Sequence, residues 1–386
     1  MTGLKSALLN TILVIVSIAF CFAGLELFLW VEARTAGPEA ILPAKAALAP
    51  PKEEVASVPG DLVAAAEARH RFLTMPDEWK QTPVDVPGAA SAYRWHGALH
   101  VHNADSMRRI GPIPPKEQGV YRVMVVGDSL TYGYGIEQSA TFVELLNRQM
   151  EQGFKIEFLN LGISGNQSED TLKTIRKFLP ALGPDLVLYA ICLNDFLPSG
   201  VGEYHYKYAL PISPAVKDFF LKRTRSAAYL SDLYDGALRR LHIRQDFFDD
   251  ILGDFAGYQQ RFGRDIQDMN ATILAEGLPP LVAMVVDQYP WNPSGRKITA
   301  IAEEKVLKAG ATLIPTADYY RSYPDKAFYV SRWEGHPNEV ANYIWAQMIS
   351  ENLRARQDLK PFTRGSKATA RDAGANTQES NVNPVR

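Results

Sequence analysis

Short, largely apolar runs recur along the middle of the chain, at residues 121–126, 155–159, 185–191, 281–286 and 311–314, and each predicts a strand, the β-branched first one a buried strand. Between them the apolar period lengthens. Phe142, Leu145, Leu146 and Met150 share one face of a helix expected over 141–150. Ser168 is a good N-cap for a helix reaching about residue 179, where Pro180 and Gly183 end it. Ile298, Ile301 and Ala302 mark another helix stopped by Gly310, and Pro337, a favoured first helical position, opens a last one running to about residue 356. Strands alternating with helices predict a parallel, doubly wound α/β sheet with five strands.

The flanks break this pattern. Residues 7–31 are apolar apart from Asn10, Ser17 and Glu26, enough helix to cross roughly 30 Å of hydrocarbon. Lys5 precedes the run, whereas Glu26 and Glu32 lie at its far end, so the positive-inside rule puts the N-terminus in the cytoplasm. The run exceeds the usual length of a secretory apolar segment, and Trp30 sits like an interfacial anchor, so residues 1–33 are expected as a retained transmembrane anchor. A cleaved signal and a buried core helix are the alternatives. Residues 34–70 are Ala- and Pro-rich, as in a linker, and residues 361–386 are polar without an apolar period, as in a disordered tail. The catalytic domain is expected over 71–360, outside the cytoplasm or in a periplasm. An aromatic-rich stretch at about 198–255 interrupts the alternation and predicts an inserted helical cap beside the sheet edge where ligands bind.

Composition narrows the function. The 386 residues carry a formal charge of -2, so no broad basic surface points to nucleic acid. Two cysteines, Cys21 in the N-terminal run and Cys192 in a predicted strand, give no disulfide framework and no thiolate metal site. Neither cofactor nor metal is expected, and the oligomeric state is open.

The chemistry lies at the strand ends. Gly127 lets the backbone turn after the first strand, and Asp128 and Ser129 follow at its carboxyl end. A serine hydroxyl needs a base to take its proton and donors aimed at the developing oxyanion. Ser129 is the candidate nucleophile, and His336, followed by Pro337 and Asn338, is the candidate base. The loop from Asn160 through Gly165 follows the second strand, and Asn194 with Asp195 follows the third.

These four ordered blocks, Gly127-Asp128-Ser129, the glycine after the second strand, Asn194-Asp195 and His336-Pro337-Asn338, resemble those of the SGNH, or GDSL, hydrolases over roughly residues 121–357. The resemblance implies a flavodoxin-like three-layer α/β/α fold and a metal-free serine esterase. It also implies Ser129 as nucleophile, His336 as general base, and the Gly165 N–H and Asn194 amide as oxyanion donors. Gly165 is preferred to Gly162 because it closes a Ser-Gly pair. A membrane-anchored bacterial member acting on an ester, such as an O-acylated envelope glycan or a lipid, is the expected function. An O-acyltransferase to an extracytoplasmic polysaccharide and a non-catalytic carbohydrate-binding or assembly protein of the same fold are the alternatives.

Two positions depart from the family pattern. Trp333 stands where an aspartate is usual, leaving Glu334, Asp287 or a backbone carbonyl to orient His336, and Cys192 replaces a glycine and is expected to pack. A helix starting after His336 disfavours imidazolium, whereas an orienting carboxylate favours it. His96, His100 and His102 suggest a metal site, but their spacing fits packing or surface roles better. Arg108 and Arg109, before the first strand, are candidates for anion binding or for structural bonds.

Overall fold

The computed structural model describes residues 2–35, 58–72, 81–95, 97–151, 153–200, 247–254, 257–286, 293–316, 328–331 and 334–360, with isolated positions between 219 and 237. Strands β1 (Thr82–Pro83), β2 (Ser91–Trp95) and β3 (Ala98–His102) form a small antiparallel sheet. Strands β4 (Tyr121–Gly127), β5 (Ile156–Gly162), β6 (Leu186–Ile191), β7 (Val282–Val285) and β8 (Thr312–Ile314) form the five-stranded sheet in the order β5-β4-β6-β7-β8. All its pairs are parallel. The second strand of this sheet flanks the first on one side and the third, fourth and fifth follow on the other, which is the flavodoxin-like order. Strands β9 (Tyr329–Ser331) and β10 (Glu334–Pro337) pair as an antiparallel ribbon.

The helices are α1 (Thr2–Thr35), α2 (Gly60–Phe72), α3 (Ser129–Tyr132), α4 (Phe142–Glu151), α5 (Ser168–Leu182), α6 (Phe247–Leu252), α7 (Tyr258–Ala275), α8 (Pro293–Lys308) and α9 (Glu339–Ala355). Alternation along β4 shows how they layer. Tyr121, Val123 and Val125 join the core with α2, α4 and α9, whereas Met124 and Val126 join the core with α5, α7 and α8. Val123, Met124, Val125 and Val126 are fully buried, and each side chain contributes about 1.5–3 kcal/mol. A strand buried on both faces reads as a continuous apolar run, which is why β4 shows no polar alternation.

Several expectations shift. Helix α2 lies within the stretch expected as linker, and Leu62 and Ala66, one turn apart, bury against the core. Pro180 does not end α5; the helix runs to Leu182 and closes at Gly183, whose φ of 52° lets its N–H reach Leu179 O. The last helix begins at Glu339 rather than Pro337, because Asn338 caps it through Val340 N–H and Ala341 N–H and Pro337 belongs to β10. The small sheet, β9, β10 and α7 add elements that the strand and helix periods above do not include. Cys192 is buried in the core, as expected for a packing residue.

The N-terminal apolar run is helical throughout as α1. Among the described residues no helix is long and apolar enough to cross a membrane; in α1 the side chains before Thr11, those of Ile12 and Ile15 and those after Val31 lie outside that set. Residues 36–57 of the expected linker, most of the expected cap and the tail 361–386 also lie outside the described residues.

Two side chains tie the scaffold together. Asn342 accepts from Phe142 N–H at 3.0 Å and donates to Asn338 O at 2.9 Å, fixing the start of α4 to the start of α9. Asn147, on α4, donates to Phe158 O and accepts from Phe158 N–H on the edge strand β5.

Candidate active site

Parallel register brings the candidate residues to one edge. Gly127 is level with Gly162 of β5 and with Ala190 of β6, so the loops after all three strands leave from the same line. Gly127 has φ 155°, and a Cβ there would lie 2.2 Å from Thr131 Oγ1 and 2.7 Å from Ala190 O, so only glycine fits. The chain turns directly into α3, whose first residue is Ser129. Asp128 caps that helix by accepting from Leu130 N–H at 2.8 Å.

Gly162 holds α3 down. Its Cα faces the backbone of α3 so closely that a Cβ would fall 2.3 Å from Tyr132 N. Asn160 adds two bonds at the same place, donating to Thr131 O at 2.9 Å and accepting from Gly162 N–H at 3.0 Å. The sequence placed interest in Gly165; the structure gives Gly162 this separate task of close approach.

His336 arrives from β10. Its Nε2 lies 2.9 Å from Ser129 Oγ, although 207 positions separate the two in sequence. Asn338 holds the segment by donating to Tyr329 O and accepting the first N–H groups of α9. The Ser129 hydroxyl has a second acceptor in Asp128 Oδ2 at 3.3 Å. One hydroxyl proton serves both, and the shorter contact favours transfer to the imidazole.

Asn194 lies in the 3-10 turn Leu193–Phe196 after β6, and its Nδ2 donates to Asp128 Oδ2 at 3.2 Å. Ser129, Asp128 and Asn194 thus form one buried unit, with Ser129 and Asn194 each 8% exposed. An amide nitrogen has two hydrogens, so one can hold Asp128 while the other faces a substrate oxygen. Burial raises the Asp128 carboxyl above the usual range, and the bond from Leu130, the charge of His336 and the Asn194 amide oppose that rise. Asp195, fully buried beneath this unit, accepts Cys192 N–H at 2.8 Å, and burial together with Asp128 holds its carboxyl well above the usual range.

Gly165, with φ 88°, lies in the turn closed by the bond from Asn166 N–H to Ile163 O, after β5 on the same edge. Glu334 starts β10 two residues before His336, and strand alternation would put both on one face, but the register shifts between Glu334 and Pro337. Its side chain, Trp333 and Asp287 lie outside the described residues.

Two aromatic residues that the sequence motifs do not mark also reach the site. The Tyr134 ring lies 4.9 Å from the His336 ring, and Trp95 meets it edge-on at 6.5 Å. Trp95 and Tyr134 pack together at 3.9 Å. Trp95 ends β2, so the small sheet supplies one wall of the site.

Behind that wall the histidines have other partners. Tyr132 Oη lies 2.9 Å from His102 Nε2 and 3.2 Å from His100 Nδ1, and Ser91 Oγ is within 3.3 Å of His102 Nδ1. Burial and the nearby Arg108 charge lower the His102 pKa. Among the described residues no group of His, Cys, Asp and Glu is placed to hold a metal; His96 lies outside them. Arg108 is buried and donates to the carbonyls of Leu99, Tyr132, Gly133 and Ile136, which makes it a structural tie. Arg109 is half-buried and, with Arg108, lines a surface groove beside β5.

No curated protein matches this chain. Among solved structures it is similar to the lipase/acylhydrolase from Enterococcus faecalis, at 16% identity and a TM-score of 0.40 over 63% of this chain and 98% of that one. It is also similar to a catalytic mutant of the acetylxylan esterase Axe2 from Geobacillus stearothermophilus, at 13% identity and 0.38 over 60% and 94%. TesA matches at 14% identity and 0.39 over 60% and 98%. The model of the GDSL-like lipase/acylhydrolase family matches residues 125–342, a span that includes both Ser129 and His336. With that match over more than half of its length, the chain belongs to the GDSL-like lipase/acylhydrolase family and is a serine hydrolase acting on ester bonds.

Proposed function

We propose that the protein cleaves an ester through an acyl-Ser129 intermediate. The observation carrying this reading is the 2.9 Å contact between Ser129 Oγ and His336 Nε2 at the carboxyl end of β4. His336 takes the hydroxyl proton as Oγ attacks the carbonyl carbon, then returns it to the leaving alcohol. Water, deprotonated by the same imidazole, releases the acid and restores Ser129. Base catalysis of this kind contributes about 10²–10⁴-fold. The Asn194 amide, the Ser129 N–H and the Gly165 N–H receive the oxyanion, and Glu334 is the candidate group to orient His336.

The substrate we favour is an acylated envelope glycan or lipid reached by a membrane-anchored bacterial enzyme. The aromatic pair Trp95 and Tyr134 beside His336 suits a flat, weakly polar substrate face. The 34 residues of α1 span about 50 Å, longer than the roughly 30 Å hydrocarbon layer, and support an anchor with the N-terminus in the cytoplasm and the domain outside it.

The test is turnover of short-chain aryl esters by the full chain in detergent, beside Ser129→Ala and His336→Ala, with mass spectrometry of the stalled enzyme. Activity lost in both variants and an acyl adduct on Ser129 are expected. An active Ser129→Ala variant, or an adduct elsewhere, refutes the assignment. Appearance of ester on an added oligosaccharide would make a sugar hydroxyl, rather than water, the acceptor.

A further inference from the structure

Among the described residues between the Asn194 turn and α6, Ser226 meets α1. Ser226, fully buried, donates its N–H to Glu26 Oε2 at 2.7 Å and brings its hydroxyl within 2.6 Å of the same oxygen and 3.3 Å of Phe22 O. Leu29, one turn beyond Glu26, is also buried. Elsewhere among the described residues of α1, Leu13, Val14, Val16, Ile18, Phe20, Leu27, Phe28 and Val31 are exposed. At about 100° per residue, positions 13, 14, 16, 18 and 20 spread over about 200° of the circumference, and Phe22, Glu26 and Leu29 fall in the remaining arc, on the side of Ser226. One packed neighbour covers a stripe of about 100°; an exposed apolar arc about twice that wide suits an apolar solvent.

The insertion continues that surface. Ser226, Leu230 and Leu233 stand at helical i, i+4, i+7 spacing, and all three positions are helical. Leu230 and Leu233 are exposed, as is Phe219, whose ring carries the exposed Arg223 guanidinium at 4.2 Å. A long cation folded over an aromatic ring is the arrangement expected where hydrocarbon meets headgroups. If residues 7–31 span the bilayer, Glu26 lies about 7.5 Å and Phe22 about 13.5 Å along the axis from Val31.

We propose that the insertion around Ser226 is itself a membrane element, seated in the leaflet beside α1, with Phe219, Leu230 and Leu233 facing acyl chains. The inference rests on the anchor reading above. It also accounts for an acidic residue within the apolar run: two donors from Ser226 satisfy a Glu26 carboxyl that hydrocarbon alone would leave bare. Because the insertion leaves the sheet directly after the turn bearing Asn194, this seat ties the active-site edge to the lipid surface.

The test uses the full chain in phosphatidylcholine and phosphatidylglycerol vesicles that include a phospholipid with a diazirine in mid-acyl chain. After illumination and digestion, mass spectrometry maps the adducts. Labelling of the 219–234 peptide at a yield comparable to that of 13–31, with α5 at background, is expected, together with its loss in a Leu230→Asn/Leu233→Asn variant that still labels on α1. Labelling of α1 with a clean 219–234 peptide overturns this inference and leaves the anchor. A clean α1 overturns the anchor reading itself. Cross-links from 219–234 to a second copy, without lipid adducts, overturn the inference in favour of self-association.

Discussion

Replacing Gly162 by alanine tests whether the end of β5 sets the position of the nucleophile. The new Cβ would stand 2.3 Å from Tyr132 N and 2.7 Å from the Thr131 carbonyl carbon, both backbone atoms of α3. Restoring ordinary contact at about 3.5 Å requires α3 and β5 to part by about 1 Å. Ser129 lies on the same single turn, so its 2.9 Å contact with His336 lengthens by a similar amount and ceases to be a hydrogen bond. A displacement of that size costs about 10²-fold in rate. Overpacking should lower stability by about 1–3 kcal/mol, leaving the domain folded. The assay is kcat/KM on an aryl ester, with thermal unfolding and phosphonate labelling of Ser129 measured on the same preparation. Gly183→Ala is the comparison: its φ of 52° makes alanine cost about 1–2 kcal/mol, but no atom lies within 4 Å of the added Cβ and the site is remote. Its kcat/KM should be that of the parent. A folded Gly162→Ala enzyme with kcat/KM within about threefold of the parent would refute the reasoning.

Asn194→Ala should lower kcat by about 10²–10³-fold with little change in KM, and a rise in KM alone would remove Asn194 from oxyanion binding. Asp195 and Asp128 are buried carboxyls with raised pKa values, so the folded state holds protons that the unfolded state has released. Stability should therefore fall as pH rises from about 4 towards neutrality. Asp195→Asn should flatten that fall in a thermal melting series, and an unchanged slope would assign it to other groups. Arg108→Lys should destabilise by about 2–4 kcal/mol, because a single ammonium cannot serve the four carbonyls that the guanidinium serves. Denaturant unfolding showing a loss under about 1 kcal/mol would mean that these bonds are exchanged for water.

The main sheet was legible because its strands are buried on both faces, so Val123–Val126 and Leu186–Ile191 read as unbroken apolar runs. The meeting of Ser129 and His336 was legible because each stands two residues from one that shapes the local chain, Gly127 for the turn and Asn338 for the cap. Trp95 and Tyr134 were not, since nothing in the mixed Tyr, Arg and Trp of β2, or in the turn after α3 that holds Tyr134, marks which ring will meet a histidine over two hundred positions away. The preference for Gly165 over Gly162 followed a motif and concerned oxyanion donation; the separate steric need at Gly162 was hidden because it exists only once α3 lies across β5. Pro337 misled for a related reason: its fixed φ suits a strand end as well as a first helical turn, and Asn338 had the better cap.

The Asn147 side chain also sets the width of the sheet. An amide that both gives and receives at Phe158 presents to β5 what the backbone of a neighbouring strand would present. Any further strand, from this chain or another, would have to displace that amide before it could pair there, and the exposed margin of the sheet is a poor template for growth. At the β5 margin one asparagine on a helix thus takes the place that part of a sixth strand would take.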